Sequence, residues 1–325
     1  MTPSLNSSLT ARSLTDLVEL IPTLLGFHPA NSVVVIVVVD DHVAVTARVD
    51  LPSRGVARIA EQLRPVWDRF PRGRFVVVIC APVSERSWAA CDILDATLPG
   101  TGRTLIMADG HRWFAHPQDP GVPYEHEASA FAAATVMAGH QIRHSRADLV
   151  AELAPVNSAA EVSQALEQLR STGDPRSAVV ARALALVAAA DAEQPVLRLD
   201  QAVVLLVASH DEAFLDAVMF STTPSNASAR RDLWAEVVRQ SVPGCTGFAL
   251  AALALAAWVC GQGALQVICL EQMMGQPGPD AWYETLSDVN ARALPPAEWP
   301  TLRAALFRSA SGVNPGGLAE TGGLS

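Results

Sequence analysis

Ser32-Val33-Val34-Val35-Ile36-Val37-Val38-Val39, followed by Asp40-Asp41 and then His42-Val43-Ala44-Val45-Thr46-Ala47-Arg48-Val49-Asp50, is the stretch that decides the fold. Seven consecutive β-branched residues, Val33 to Val39, suit a strand and no amphipathic helix. A strand with no polar position is buried on both faces, which places it inside a sheet covered by helices. The aspartate pair marks a turn. Beyond it Val43, Val45, Ala47 and Val49 alternate with His42, Ala44, Thr46 and Arg48, so the second strand has one apolar face and the two form a hairpin.

Working outward toward the N-terminus, Ser13 and Asp16 make an S-x-x-D helix start, and Leu17, Leu20, Ile21 and Leu24 form a stripe. Gly26 is placed to end that helix with positive φ, and Pro29 prevents continuation. On the other side, Arg54 to Phe70 carries Val56, Ile59, Leu63, Val66 and Trp67 at helical spacing, with Pro65 expected to kink or shorten it. Phe75 to Cys80 reads as a third strand, Ser84 to Leu98 as a crossover helix and Thr104 to Met107 as a fourth strand. The Asp109-Gly110 turn should return the chain as a fifth strand, His111 to Ala115. Strands separated by helices predict a layered, mixed α/β sheet over residues 13–155.

After the loop Gln118 to Pro123 comes an alanine-rich helix around Ser129 to Met137, then an irregular stretch to Pro155. From there the pattern is helical. Ser158 and Glu161 form a capping box. Further helices fit Ser177 to Ala190, Asp200 to Met219, Ala229 to Gln240, Thr246 to Cys260, Ala264 to Met274 and Ala281 to Ala293. Ala202 to Ala208 is the one run there that a strand would also fit. An all-helical domain is therefore expected over 156–308, with a glycine-rich, disordered tail over 309–325.

Composition narrows the function classes. The 325 residues are 50 % hydrophobic, enough for two cores. All 23 basic residues are arginine, which reads as codon bias, and 33 acidic residues bring the net charge to −10. That field opposes nucleic acid and anionic membrane surfaces. The five cysteines sit singly in apolar stretches, as buried thiols in a reducing compartment do. Met1 to Thr10 lacks a signal-peptide pattern, so a cytoplasmic protein is expected. The uncharged stretch Gln240 to Leu270 is interrupted at Gly261-Gln262-Gly263, too early for a membrane span, and reads as a buried helix.

Leu20-Ile-Pro-Thr-Leu-Leu-Gly-Phe-His-Pro-Ala-Asn-Ser32, the valine strand and Arg48-Val49-Asp50-Leu51-Pro52 together resemble the actinobacterial domain of unknown function 4192. Arg112-Trp113, Val122-Pro123-Tyr124, Leu253 to Leu270, Leu294-Pro295-Pro296 and Trp299 agree with that resemblance, which implies a fold and no activity. Relatives often carry a longer, cysteine-containing segment after the tryptophan, where this chain has only His116 to Gly121. The helices around Ala257-Trp258, Gly261, Ala264 and Leu265 are similar to a tetratricopeptide-type hairpin, with plain alanine-rich hairpin packing as the alternative.

Catalytic signatures are sparse. His140 and His144 have helical ligand spacing but no acidic base between them, and with His111, His116 and His126 they match no metal pattern, so no metal and no cofactor is expected. Gly100-Thr101-Gly102-Arg103-Thr104 lacks the end of a phosphate loop and reads as a turn. No nucleophile elbow, zincin or dinucleotide motif occurs. The candidate ligand site is the loop Gly26 to Ser32, with Phe27, His28, Asn31 and Ser32, joined by Arg48, Asp50 and Trp113. Its backbone cannot all enter a regular ladder, and the hairpin register brings Ser32 opposite Arg48 to Asp50. Two readings follow: a non-enzymatic interaction or regulatory protein with a protein partner for its helices, or an enzyme of unrecognised type at the same loop.

Overall fold

The computed structural model describes residues 11–99, 103–137, 141–192 and 197–310. Among these, the elements run α1 Leu14–Leu25, β1 Ser32–Val39, β2 His42–Asp50, α2 Arg58–Arg69, β3 Arg74–Cys80, α3 Glu85–Thr97, β4 Thr104–Ala108, β5 Arg112–Phe114, β6 Val122–Pro123 and α4 Ala130–Met137. Helices then follow without interruption by strands: α5 Arg146–Ala151, α6 Ala159–Ser171, α7 Arg176–Ala192, α8 Leu199–Ser209, α9 Glu212–Ser221, α10 Ala227–Arg239, α11 Gly247–Val259, α12 Gly263–Met273, α13 Asp280–Ala291 and α14 Trp299–Ala310. The readings placed on Met1 to Thr10, on Gly100 to Gly102, on His140 and on the tail from 311 lie outside the described residues.

The chain packs as two compact units. One holds the residues up to Ala154 together with Gln262–Glu271 and Ala281–Ala293, and the other holds Pro155–Gly261, Gln272–Asp280 and the residues from Leu294. The change of pattern near 155 thus marks where strands stop, while the sheet's unit takes in two later helical stretches. Within it Arg146 pairs with Glu271 at 2.6 Å and Gln266 Nε2 donates to the Leu286 carbonyl.

The sheet has six strands in the order β2-β1-β3-β4-β5-β6. Only β3 and β4 are parallel, joined by α3 as a parallel pair requires. The valine strand is buried on both faces as expected. Val33, Val35 and Val37 pack with Ile59, Leu63, Trp67, Ile79 and Leu94 of α2, β3 and α3. Val34, Ile36 and Val38 pack with Leu17, Val18, Ile21 and Leu25 of α1. The period of two along β1 therefore divides one uniform sequence between two cores.

Asp40 and Asp41 have φ of 48° and 60°, and the two-residue loop between paired Val39 and His42 is the kind that matches strand twist. The expected alternation of β2 holds only in part. The register shifts opposite Val37 and Val38, leaving Ala44 extra, so Val45, Ala47 and Val49 face the core while Val43 is 36 % exposed. A bulge of this kind reverses the alternation on one side of itself.

Other expectations need correction. Asp200 to Met219 is two helices, because Asp211 leaves helical geometry and its carboxylate accepts the Phe214 N–H as a new N-cap. The helix expected over Arg54 to Phe70 runs from Arg58 to Arg69, with Pro65 inside it. The irregular stretch before Pro155 contains α5, capped by Ser145, and Val122–Pro123 forms an edge strand. Ala202 to Ala208 lies within α8. Both capping boxes, Ser13 with Asp16 and Ser158 with Glu161, are realised.

Candidate functional site

Parallel strands β3 and β4 end at Cys80 and Ala108, and β1 begins at Ser32, which is paired with Cys80. Beyond these ends lies a cavity of about 630 Å³. Its apolar floor includes Val18 and Ile21 of α1 with Cys80, Ala81 and Ala108 of the strand ends, and its polar wall comes from three loops. The loop before β1 gives His28 and Asn31, the turn after β4 gives Asp109 and His111, and the segment after β6 gives Tyr124, Glu125, His126 and Glu127, with His144 added from beyond α4. Carboxyl ends of parallel strands are where open α/β sheets leave room for a ligand.

The chain after α1 is held in place by its backbone. Gly26, φ 80°, ends α1, and its N–H reaches the Pro22 carbonyl at 2.8 Å. Arg143 then straps the loop, since its N–H donates to the Gly26 carbonyl and its carbonyl accepts the His28 N–H at 3.0 Å. The Asn31 carbonyl accepts the Leu51 N–H at 2.7 Å, and Asn31 has φ 45°. The groups that have no place in the sheet ladder thus find partners in residues far along the sequence.

His28 meets His126 edge to face, with ring centroids 5.2 Å apart, and its Nε2 lies 3.8 Å from the exposed Glu127 carboxylate. Burial, then the neighbouring His126, lowers the His28 pKa, and Glu127 opposes that shift. His126 is 5 % exposed, and its Nδ1 lies 2.5 Å from the Glu19 carbonyl. A carbonyl only accepts, so Nδ1 carries the proton and, in the neutral ring, Nε2 keeps a lone pair. That buried Nε2 has no partner. Burial pushes the Cys80 thiol up to about 12, which keeps it protonated and unreactive.

Of the residues singled out from sequence, His28 and Asn31 line this cavity. Ser32 does sit opposite Asp50, but its side chain is fully buried and its hydroxyl has no partner. Arg48 and Asp50 pair at 2.6 Å, and the Arg48 guanidinium lies 5.9 Å from the centre of the Phe27 ring. Phe27 is 1 % exposed and belongs to the core under α1. Trp113 donates from Nε1 to the Thr15 hydroxyl. These five stand apart from the cavity lining.

Sequence reasoning did not connect Tyr124, Glu125, Glu127 or Asp109 with the loop, and it took the histidine-rich middle region as a chance cluster. The usable signal was position: Asp109 to His111 directly follows a parallel strand, and strand-end loops carry sites. Although four histidines line the cavity, no three His, Cys, Asp or Glu side chains among the described residues are placed to hold a metal ion. No helix among them is long and apolar enough to cross a membrane.

The class defined here is a mixed α/β sheet with a histidine- and carboxylate-lined pocket at its strand ends, followed by packed helices. The chain matches the family described as domain of unknown function (DUF4192) over residues 15–277, and it belongs to that family. No curated protein and no solved structure matches it.

Proposed function

We propose that this is a cytoplasmic, non-enzymatic regulatory protein that holds a small molecule in the pocket beside His28 and Asn31 and presents its helices to a protein partner. The observation that carries this reading is the cavity of about 630 Å³ at the ends of β3 and β4, within the usual range for small-molecule sites and with an apolar floor under converging polar groups. The buried thiols of Cys80, Cys91 and Cys269 suit a reducing compartment. Exposed apolar side chains on the helices, among them Leu184, Val207 and Phe307, offer contact area for a partner.

A second reading, an enzyme at the same pocket, draws on the His28 and Glu127 pair at 3.8 Å, since a carboxylate beside an imidazole of lowered pKa is a usable acid–base arrangement. Native mass spectrometry of the chain purified from its host, beside a His28→Ala, Glu127→Gln variant, tests the site. A bound small molecule lost in the variant supports it, and a ligand kept unchanged by the variant removes it. Turnover of that molecule by the wild-type chain favours the enzyme.

A further inference from the structure

Resting on that reading of the pocket, we infer that its ligand is a small organic cation that donates N–H hydrogen bonds, an amine or amidine on a compact apolar body. Glu125, His126 and Glu127 line the wall, and the buried Nε2 of His126 has no partner. The Asp109 carboxylate adds negative charge, although its Oδ1 already accepts the N–H groups of His111 and Arg112 at 2.8 and 2.7 Å. Among the described residues no arginine lines the cavity, and the chain has no lysine to supply a permanent positive charge. An anion there meets like charge, whereas a cation meets opposite charge.

His126 adds a condition that charge alone does not. In the neutral ring its one proton is committed to the Glu19 carbonyl, and its other nitrogen is a lone pair without a donor. Leaving a buried acceptor unmade is unfavourable, and a ligand N–H satisfies it. The half-buried His28 ring lies edge-on against it, with its Nε2 3.8 Å from the exposed Glu127 carboxylate, and a rotation of His28 opens the way. Val18, Ile21, Ala81 and Ala108 then receive the apolar body.

The test titrates the full chain with four probes of one size, benzylamine, benzyl alcohol, benzoate and benzyltrimethylammonium, following backbone amide shifts. Benzylamine is expected to move the amides of residues 28–31 and 109–127 and to bind about tenfold more tightly than benzyl alcohol, with Glu125→Gln, Glu127→Gln weakening it by about tenfold. Both carboxylates are on exposed residues, so that variant should fold as the wild type does. Equal binding of benzyltrimethylammonium would overturn the role of His126, since that ion has no N–H. Unchanged benzylamine affinity in the double variant would overturn the role of the carboxylates. Binding of benzoate or benzyl alcohol at these amides without benzylamine would reject the cation and leave the pocket standing, and silence from all four probes would reject both.

Discussion

The sheet unit and the helical unit differ in how completely they pair their buried polar groups. In the helical unit, Arg230 is 4 % exposed yet fully engaged: Nε and Nη2 grip Asp191 at 3.0 and 2.8 Å, and Nη1 reaches the Val218 carbonyl and the Ser221 hydroxyl. Trp258 and Trp299 donate to the carbonyls of Leu294 and Thr222. The sheet unit instead leaves Ser32 Oγ, Thr46 Oγ1, Arg48 Nε and His126 Nε2 buried without partners, against Trp234 Nε1 in the helical one. Native structures satisfy nearly all such groups, and exceptions concentrate where a site needs them. Of the four in the sheet unit only His126 lines the pocket, so the contrast bears on a ligand at that one residue and on packing at the other three.

The largest expected effect breaks the satisfied side. Arg230→Ala leaves Asp191 with no guanidinium and takes one donor from the Val218 carbonyl and the Ser221 hydroxyl, and should lower the unfolding free energy by about 3–5 kcal/mol in denaturant titration. A loss below about 1 kcal/mol would mean that the network adds little and that the contrast is overstated.

Next is Gly247→Ala, at the start of α11. A Cβ there would sit 2.0 Å from the Pro277 carbonyl oxygen, so the backbones must separate, and a drop of about 1–3 kcal/mol is expected. A melting temperature equal to wild type would show that this contact yields.

Ser32→Ala sharpens the other side. Removing a buried hydroxyl that has no partner should leave stability unchanged or raise it by up to about 1 kcal/mol. A loss above about 1 kcal/mol reveals a bridging water on that hydroxyl and removes Ser32 from the contrast.

The smallest effect is in pH. Burial lowers the pKa of His28 in the sheet unit and of His210 in the helical unit, so just below the ordinary value of about 6.5 the unfolded chain binds more protons. Their contribution is intact above that value and is lost as pH falls through the depressed folded values. His28→Asn and His210→Asn should each flatten the acid limb of a stability–pH profile, and an unchanged limb in both variants would refute the assignment.

Much of the fold was legible because its signals are local. β-branched residues from Val33 to Val39, the aspartate turn and the two capping boxes each act within a few residues, and each formed as read. The break at His210 and Asp211 was hidden because no glycine or proline marks it and the cap is a single carboxylate. The bulge at Ala44 was hidden because it depends on the partner strand. The pocket was half legible: Gly26 and Pro29 pointed to the loop of His28 and Asn31, but its other walls arrive through strand order and through Arg143, more than 100 positions away. Spacing in sequence carries no trace of such pairings.

The hairpin also bears on the chain before it is folded. β1 is a run of β-branched residues without charge or proline, the composition from which stacked, self-templating fibrils grow. β2 covers one edge of that run, closed by a turn of only two residues, so protection is available as soon as a short local segment has been made. The outer edge of β2 in turn carries a bulge and the Arg48–Asp50 pair, features that make an exposed strand a poor template for another copy. Shortening the hairpin at Asp40 and Asp41 would therefore be felt first as loss of soluble yield during synthesis, ahead of any change in binding.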